Sequence, residues 1–151
     1  MSRRSCPVDP GDLERFVVAQ DRDGTFDRAL GELAAGRKVT HWMWFVFPQL
    51  SGLGTSPTSR RFALATTEES AAYLAHPVLG ARLRTAAQTV RDGPATTAVE
   101  LLGPVDAAKL ASSMTLFHRT DPGEAVFIGV LDRYFDGSTD QRTDRLLGRS
   151  T

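Results

Sequence analysis

The chain has few of the residues that build disulfides and metal sites. It contains one cysteine, Cys6, and three histidines, His41, His76 and His118. A single cysteine excludes an internal disulfide framework and a cysteine-based zinc site. Three histidines leave little material for another kind of transition-metal site. We therefore expect no metal and no cofactor.

Long apolar runs and an excess of one charge are also lacking. No run approaches the roughly 18 apolar residues that indicate a membrane-spanning helix. The basic residues Arg3 and Arg4 are not followed by an apolar segment, so no secretory signal is predicted and a cytoplasmic location is expected. Eighteen basic residues balance eighteen acidic ones, which leaves no global field to attract nucleic acid or an acidic membrane. Neither is an expected partner, and no protein partner is indicated.

What is present is an ordinary globular composition with helical periodicity. The 151 residues are the size of one domain, which buries about 68–70% of its unfolded surface. Residues 1–11 mix proline, glycine, serine and charge without a period, which predicts a mobile tail. In residues 12–151, apolar residues recur at helical spacing between glycine and proline breaks, and no long alternating strand pattern occurs. The prediction is one compact all-α domain of about seven helices.

Several residues mark where these helices begin and end. Asp12 and Asp140 are predicted N-caps, and Thr66 and Glu69 have the spacing of a capping box. Gly36 is predicted to end the second helix. On the apolar face of the first helix lies one polar residue, Gln20. It is either an end-of-helix residue that reaches solvent or a buried amide that hydrogen-bonds something.

The densest aromatic segment is residues 40–50, which we call the aromatic motif. It contains both tryptophans of the chain, Trp42 and Trp44. So much aromatic surface must be buried or form a sticky patch. The helical surroundings favour a short buried helix that Thr40 caps and Pro48 ends, although a strand is the alternative. Since the tryptophans are two residues apart, one is predicted to lie in the core and the other to line a pocket.

Polar residues gather around this motif. Arg37 and Lys38 precede it in a predicted loop, and Gln49 follows Pro48 with an amide for the same pocket. His41 begins the motif and is a candidate general acid or base. Its alternative role is structural, with a hydrogen bond to a carbonyl and a contact to tryptophan.

A second polar group lies on one predicted helix. Lys109, Ser112 and Ser113 share a face because they are three and four residues apart. An ammonium and two hydroxyls can bind a phosphate or a carboxylate. Two alternatives are close helix packing by the serines and a nucleophile–base pair, whose order reverses the Ser-x-x-Lys motif.

The segment HWMWFVFPQ at residues 41–49, followed by GLG at residues 52–54, resembles the signature of the domain-of-unknown-function family eighteen-ten. Its members are small, mostly bacterial proteins, some labelled calpastatin-like. Further matching blocks lie within residues 12–20, 36–38, 73–83, 109–117 and 135–146. The resemblance spans about residues 12–147 and implies an all-α single domain, but no activity. Two segments depart from the family, residues 61–64 and 105–108, of which the second has only one acid.

Two hypotheses for function follow. In the first, a cleft between the aromatic motif and the Lys109 helix binds a small anionic ligand with a planar part, such as a nucleotide or an ADP-ribose-like molecule. Trp42 or Trp44 would stack on the ring, and His41 and Lys109 are the candidate catalytic residues of a hydrolase or transferase. The anion would be held by Arg37, Lys38, Lys109, Ser112 and Ser113. In the second, the protein is a non-catalytic protein–protein interaction module with a flat surface near His41.

Overall fold

Ten α-helical segments make up the part of the chain that the structure, a computed structural model, describes, namely residues 10–148. They are α1 (Pro10–Asp21), α2 (Thr25–Ala35), α3 (Met43–Val46), α4 (Pro57–Arg61), α5 (Thr67–Ala75), α6 (Leu79–Asp92), α7 (Ala98–Leu102), α8 (Pro104–Thr120), α9 (Ala125–Tyr134) and α10 (Gln141–Leu146). A 3-10 turn, Arg22–Gly24, joins α1 to α2. The only β-pairing within residues 10–148 is an isolated parallel bridge between Leu50 and Leu64.

The all-α single-domain prediction is confirmed, and the helices outnumber the predicted seven. The excess comes from segments of one or two turns, such as α3 and α4. Within the described range, no helix is both long and apolar enough to cross a membrane. Most of the predicted tail, residues 1–9, lies outside that range. The helix start predicted at Asp12 is wrong, because α1 already begins at Pro10, a residue that suits a first turn.

The core is organised around α8, which packs against α5, α7, α9 and α10. Its residues 112–117 are all buried, so this helix has almost no solvent face in that stretch. A chain of aromatic rings crosses the domain from α1 to α9. Successive ring centroids are 5.1 Å apart from Phe16 to Tyr73, 5.6 Å from Tyr73 to Phe117 and 5.7 Å from Phe117 to Phe127. Such pairs add about 0.5–1.5 kcal/mol each beyond their burial.

The helix boundaries predicted at Asp140, Gly36 and Thr66 are confirmed. The Asp140 carboxylate accepts the Thr143 N–H at 3.0 Å, and Gly36 ends α2 with a φ of 85°. The Thr66 hydroxyl accepts the Glu69 N–H at 3.1 Å. The return bond of this capping box is displaced by one residue, because the Glu69 carboxylate accepts the N–H of Ala65 at 2.6 Å.

Candidate functional site

The aromatic motif forms a shorter helix than predicted. Helix α3 covers only Met43–Val46, and Trp42 occupies the N-cap position without a side-chain cap. Thr40 is therefore not the cap, and a strand does not form. The motif is buried as expected, since Trp42 and Phe47 are both 0% exposed.

Glu32, which lies in the last turn of α2, holds the loop that enters the motif. Its carboxylate accepts the N–H groups of Val39 and Thr40 at 2.8 and 3.0 Å. It also accepts the Thr40 hydroxyl at 2.7 Å and the indole N–H of Trp42 at 2.8 Å. Partial burial by itself raises the pKa of Glu32, but these hydrogen bonds outweigh it and lower the pKa to about 2. Trp42 is consequently the core tryptophan.

Sequence reasoning missed Glu32, although one signal was present. A carboxylate near the C-terminus of a helix is disfavoured by the helix dipole. Glu32 lies four residues before Gly36, the residue that ends α2. An acid in that position needs donors from elsewhere, and here the following loop supplies them.

Acidification tests this role of Glu32. Because its pKa falls from 4.5 to about 2 on folding, its contribution is complete above pH 4.5 and is lost as the pH falls toward 2. We expect Glu32→Gln to lower the free energy of unfolding by about 2 kcal/mol at pH 7, discounted for the partial exposure of this side chain. The difference between wild type and variant should shrink toward zero at pH 2. Urea unfolding of both proteins across this range measures it, and a pH-independent difference would contradict the prediction.

Lys38 and Lys109 meet on one side of the motif and share a counter-ion. The Asp106 carboxylate lies 3.0 Å from the Lys38 ammonium and 3.5 Å from the Lys109 ammonium. Lys38 lies over the Trp42 ring, 5.2 Å from its centroid, and Lys109 lies over the Trp44 ring at 4.6 Å. The structure thus brings the motif and the Lys109 helix together, but as a packed cation–π and ion-pair contact.

The remaining polar residues of this side are also engaged or buried. Trp44 is half-buried beneath Lys109, and its indole N–H has no hydrogen-bond partner among the described residues. The single O–H of Ser112 is shared between the Ala108 carbonyl at 3.1 Å and the Asp140 carboxylate at 3.2 Å. Ser113 is fully buried. Both serines therefore lie in a close packing surface of α8.

Arg37 and Gln49 contribute to this region through their backbones. The Arg37 N–H donates to the Glu32 carbonyl at 3.1 Å, which completes the end of α2, and the Arg37 side chain is exposed. The Gln49 carbonyl accepts the Leu64 N–H at 2.9 Å in the isolated bridge. The described contacts do not bring either side chain to Lys109.

His41 lies on a different feature, a surface cleft of about 450 Å³ that we call the His41 cleft. Its polar lining residues come from α1, the turn after it, α2, α4 and the loop before α3, and its aromatic ones are Phe45 and Phe62. None of its described lining residues carries a carboxylate. The basic residues of the lining are His41, Arg15, Arg22 and Arg61. Sequence reasoning did not single out these arginines, because only the tertiary fold brings them together.

The three arginines are not equivalent. Arg15 is a structural link, since its guanidinium donates to the carbonyls of Arg61 and Ala63 at 2.6 and 2.9 Å. It also lies 3.8 Å from the Glu69 carboxylate. The guanidiniums of Arg22 and Arg61 make no hydrogen bond or ion pair with the part of the chain that the structure describes. Arg61 lies over the Phe62 ring, 5.4 Å from its centroid.

A buried amide supports the wall of the cleft. Gln20 is 1% exposed, so the solvent alternative for this residue is wrong. Its amide N–H donates to the Phe45 carbonyl at 2.7 Å and to the Tyr73 hydroxyl at 3.2 Å. Its amide oxygen accepts a guanidinium N–H of Arg82 at 3.1 Å. Burial raises the pKa of the Tyr73 phenol, which therefore stays a neutral hydrogen-bonding group.

The described residues contain no group of three histidine, cysteine, aspartate or glutamate side chains that could hold a metal ion.

The helices and the lining of the His41 cleft define a small all-α domain with a cationic cleft beside a tryptophan-rich helix. The chain belongs to the family described as "Protein of unknown function (DUF1810)", whose model matches residues 10–147. The resemblance stated from the sequence is thereby confirmed.

A solved relative has the same fold. The crystal structure of the conserved hypothetical protein Rv1873 from Mycobacterium tuberculosis is 45% identical to this chain and superposes with a TM-score of 0.88. The match covers 94% of this chain and 100% of that one. No curated protein matches the chain. The family is one of unknown function.

Proposed function

We propose that the protein binds a small phosphate-bearing ligand, such as a nucleotide or an ADP-ribose-like molecule, in the His41 cleft. The observation that carries this proposal is a lining with three arginines and no carboxylate among its described residues. The two-pronged geometry of a guanidinium group matches that of phosphate oxygens, so one guanidinium can bind two oxygens at once. A volume of about 450 Å³ lies in the usual range of small-molecule sites.

Two aromatic rings favour a ligand that also has a planar part. The rings of Phe45 and Phe62 both line the cleft, and their centroids are 5.3 Å apart with an angle of 57° between the planes. An aromatic face next to a guanidinium suits a nucleotide, whose base can stack on the ring while its phosphates meet the cations. Half-buried Phe45 provides the ring, and Arg61, which lies over the neighbouring Phe62 ring, provides the guanidinium.

As in the first hypothesis from the sequence, the aromatic motif and His41 belong to the proposed site. The anion-binding residues are different ones. Lys38 and Lys109 already share the Asp106 carboxylate, and Ser112 is bonded to Asp140. Arg22 and Arg61 have no such partner among the described residues, so they are the better phosphate ligands.

The position of His41 in the cleft is relevant to a catalytic role and to the hypothesis of a protein–protein interaction module. A hydrolase or transferase step in this cleft would use His41, since histidine is the side-chain type that exchanges protons near neutral pH. A protein–protein module predicts a flat surface near His41, whereas His41 lines a cleft. The cleft therefore favours a small ligand.

Thermal unfolding with a panel of adenine nucleotides and ADP-ribose tests the proposal. A ligand at 100 times its dissociation constant adds about 2.7 kcal/mol of stability, which raises the Tm of a domain of this size by roughly 5–10 °C. We expect such a shift for at least one phosphate ligand and none for adenosine. At the same ligand concentration, Arg61→Ala should show a clearly smaller shift.

Arg60→Ala is the matched control, because Arg60 is also exposed on α4 and does not line the cleft. It should keep the full ligand-induced shift. The proposal fails when no phosphate ligand raises the Tm, or when Arg60→Ala and Arg61→Ala weaken the effect equally.

A further inference from the structure

The two unpaired arginines of the His41 cleft come from different structural elements. Arg22 is the first residue of the turn Arg22–Gly24 after α1, and Arg61 is the last residue of α4. Both side chains are exposed, and neither guanidinium has a hydrogen bond or an ion pair with residues 10–148. The cleft therefore offers a ligand two separate guanidinium groups, each of which is a cationic fork of N–H donors.

The backbone of Arg61 is held in place by its neighbour in the cleft. The Arg15 guanidinium donates to the Arg61 carbonyl at 2.6 Å and to the Ala63 carbonyl at 2.9 Å. Its position beside Glu69, at 3.8 Å, offsets part of its own charge. Arg15 thus acts as a positioning residue, and the charge left for a ligand belongs mainly to Arg22 and Arg61.

The number of phosphate oxygens decides how fully a ligand can engage both guanidinium groups. A guanidinium that binds in the bidentate manner engages two oxygens. Two such forks engage four non-bridging oxygens when none is shared, whereas a phosphate monoester has only three and must share one oxygen between the two guanidinium groups. A diphosphate has at least four, two of them on each phosphorus even when both ends are esterified.

We infer that the natural ligand of the His41 cleft carries a diphosphate group, with one phosphoryl held by Arg22 and the next by Arg61. This inference rests on the proposed function, because it names the ligand class for the same site. The ring of half-buried Phe45 then lies beside the planar group that the diphosphate bears.

Calorimetric titration of the full chain with ADP and AMP tests the inference. For the wild type, we expect ADP to bind at least about tenfold more tightly than AMP, since it engages one more charge-assisted pair. Arg22→Ala and Arg61→Ala should each reduce this preference to about one. Arg60→Ala should retain it, and the thermal unfolding of each variant checks that it folds.

Three outcomes of the titration would each overturn a different part of the inference. Equal affinity of the wild type for AMP and ADP would overturn the diphosphate inference while the proposed phosphate site stands. A preference for ADP that survives both Arg22→Ala and Arg61→Ala would overturn the assignment of the two forks. Binding of neither nucleotide would overturn the inference together with the proposed function.

Discussion

Replacement of Gly80 by alanine should destabilise the domain by about 3 kcal/mol or more. Gly80 lies in the first turn of α6, where this helix crosses the end of α5. A Cβ atom there would be 2.1 Å from the Leu74 carbonyl oxygen and 2.8 Å from a guanidinium nitrogen of Arg84. The Arg84 side chain can move aside, but a backbone carbonyl cannot do so unless α5 and α6 separate. Chemical denaturation of the variant measures the loss.

Gly31 provides the matched control, since it is also a helical glycine. It lies within α2, and a Cβ atom there would have no neighbour within 4 Å. Gly31→Ala should therefore stabilise the protein by about 0.5–1 kcal/mol, because alanine loses less backbone entropy on folding. Similar stabilities for Gly80→Ala and the wild type would contradict the close packing of α5 on α6.

Replacement of Gln20 by alanine should cost about 3 kcal/mol of unfolding free energy. The amide joins four elements, because it bonds Phe45 of α3, Tyr73 of α5 and Arg82 of α6 from its position in α1. Its removal leaves a cavity and takes a buried partner from the Tyr73 hydroxyl and the Phe45 carbonyl. Each unsatisfied buried group typically costs about 1–3 kcal/mol.

Gln88→Ala is the control for this second variant. Gln88 is an exposed glutamine on α6, and its replacement should change the stability by less than about 0.5 kcal/mol. Equal effects of Gln20→Ala and Gln88→Ala on the urea midpoint would show that the buried amide does not stabilise the junction. A weaker ligand response of Gln20→Ala is also expected, since Phe45 forms part of the cleft wall.

Local features of the fold were predictable from the sequence, because their causes lie within a few residues. The cap at Asp140 and the end of α2 at Gly36 depend on side-chain and backbone preferences at those positions. The burial of the aromatic motif followed from its composition alone. The end points of α3 did not, since a continuous apolar run contains no periodic signal.

The cleft could not be predicted in the same way, because its residues are far apart in the chain. Arg22 and Arg61 line one cleft only after the fold places the turn after α1 and helix α4 near the motif, and neither residue has a distinctive neighbour in sequence. The ion pair of Lys109 with Asp106 could have been predicted from the sequence, since the two residues are three apart on α8. The approach of Lys38 to the same carboxylate depends on the loop that Glu32 holds.

The most direct test of the phosphate site is a nuclear magnetic resonance titration of isotope-labelled protein with ADP. Chemical-shift changes should concentrate at the residues of the His41 cleft, above all Arg22, His41 and Phe45, and Lys109→Ala should leave them in place. Shift changes centred on Lys109 and Ser112 would contradict this prediction and favour the Lys109 face of α8 as the site. The absence of any shift change would contradict a nucleotide site altogether.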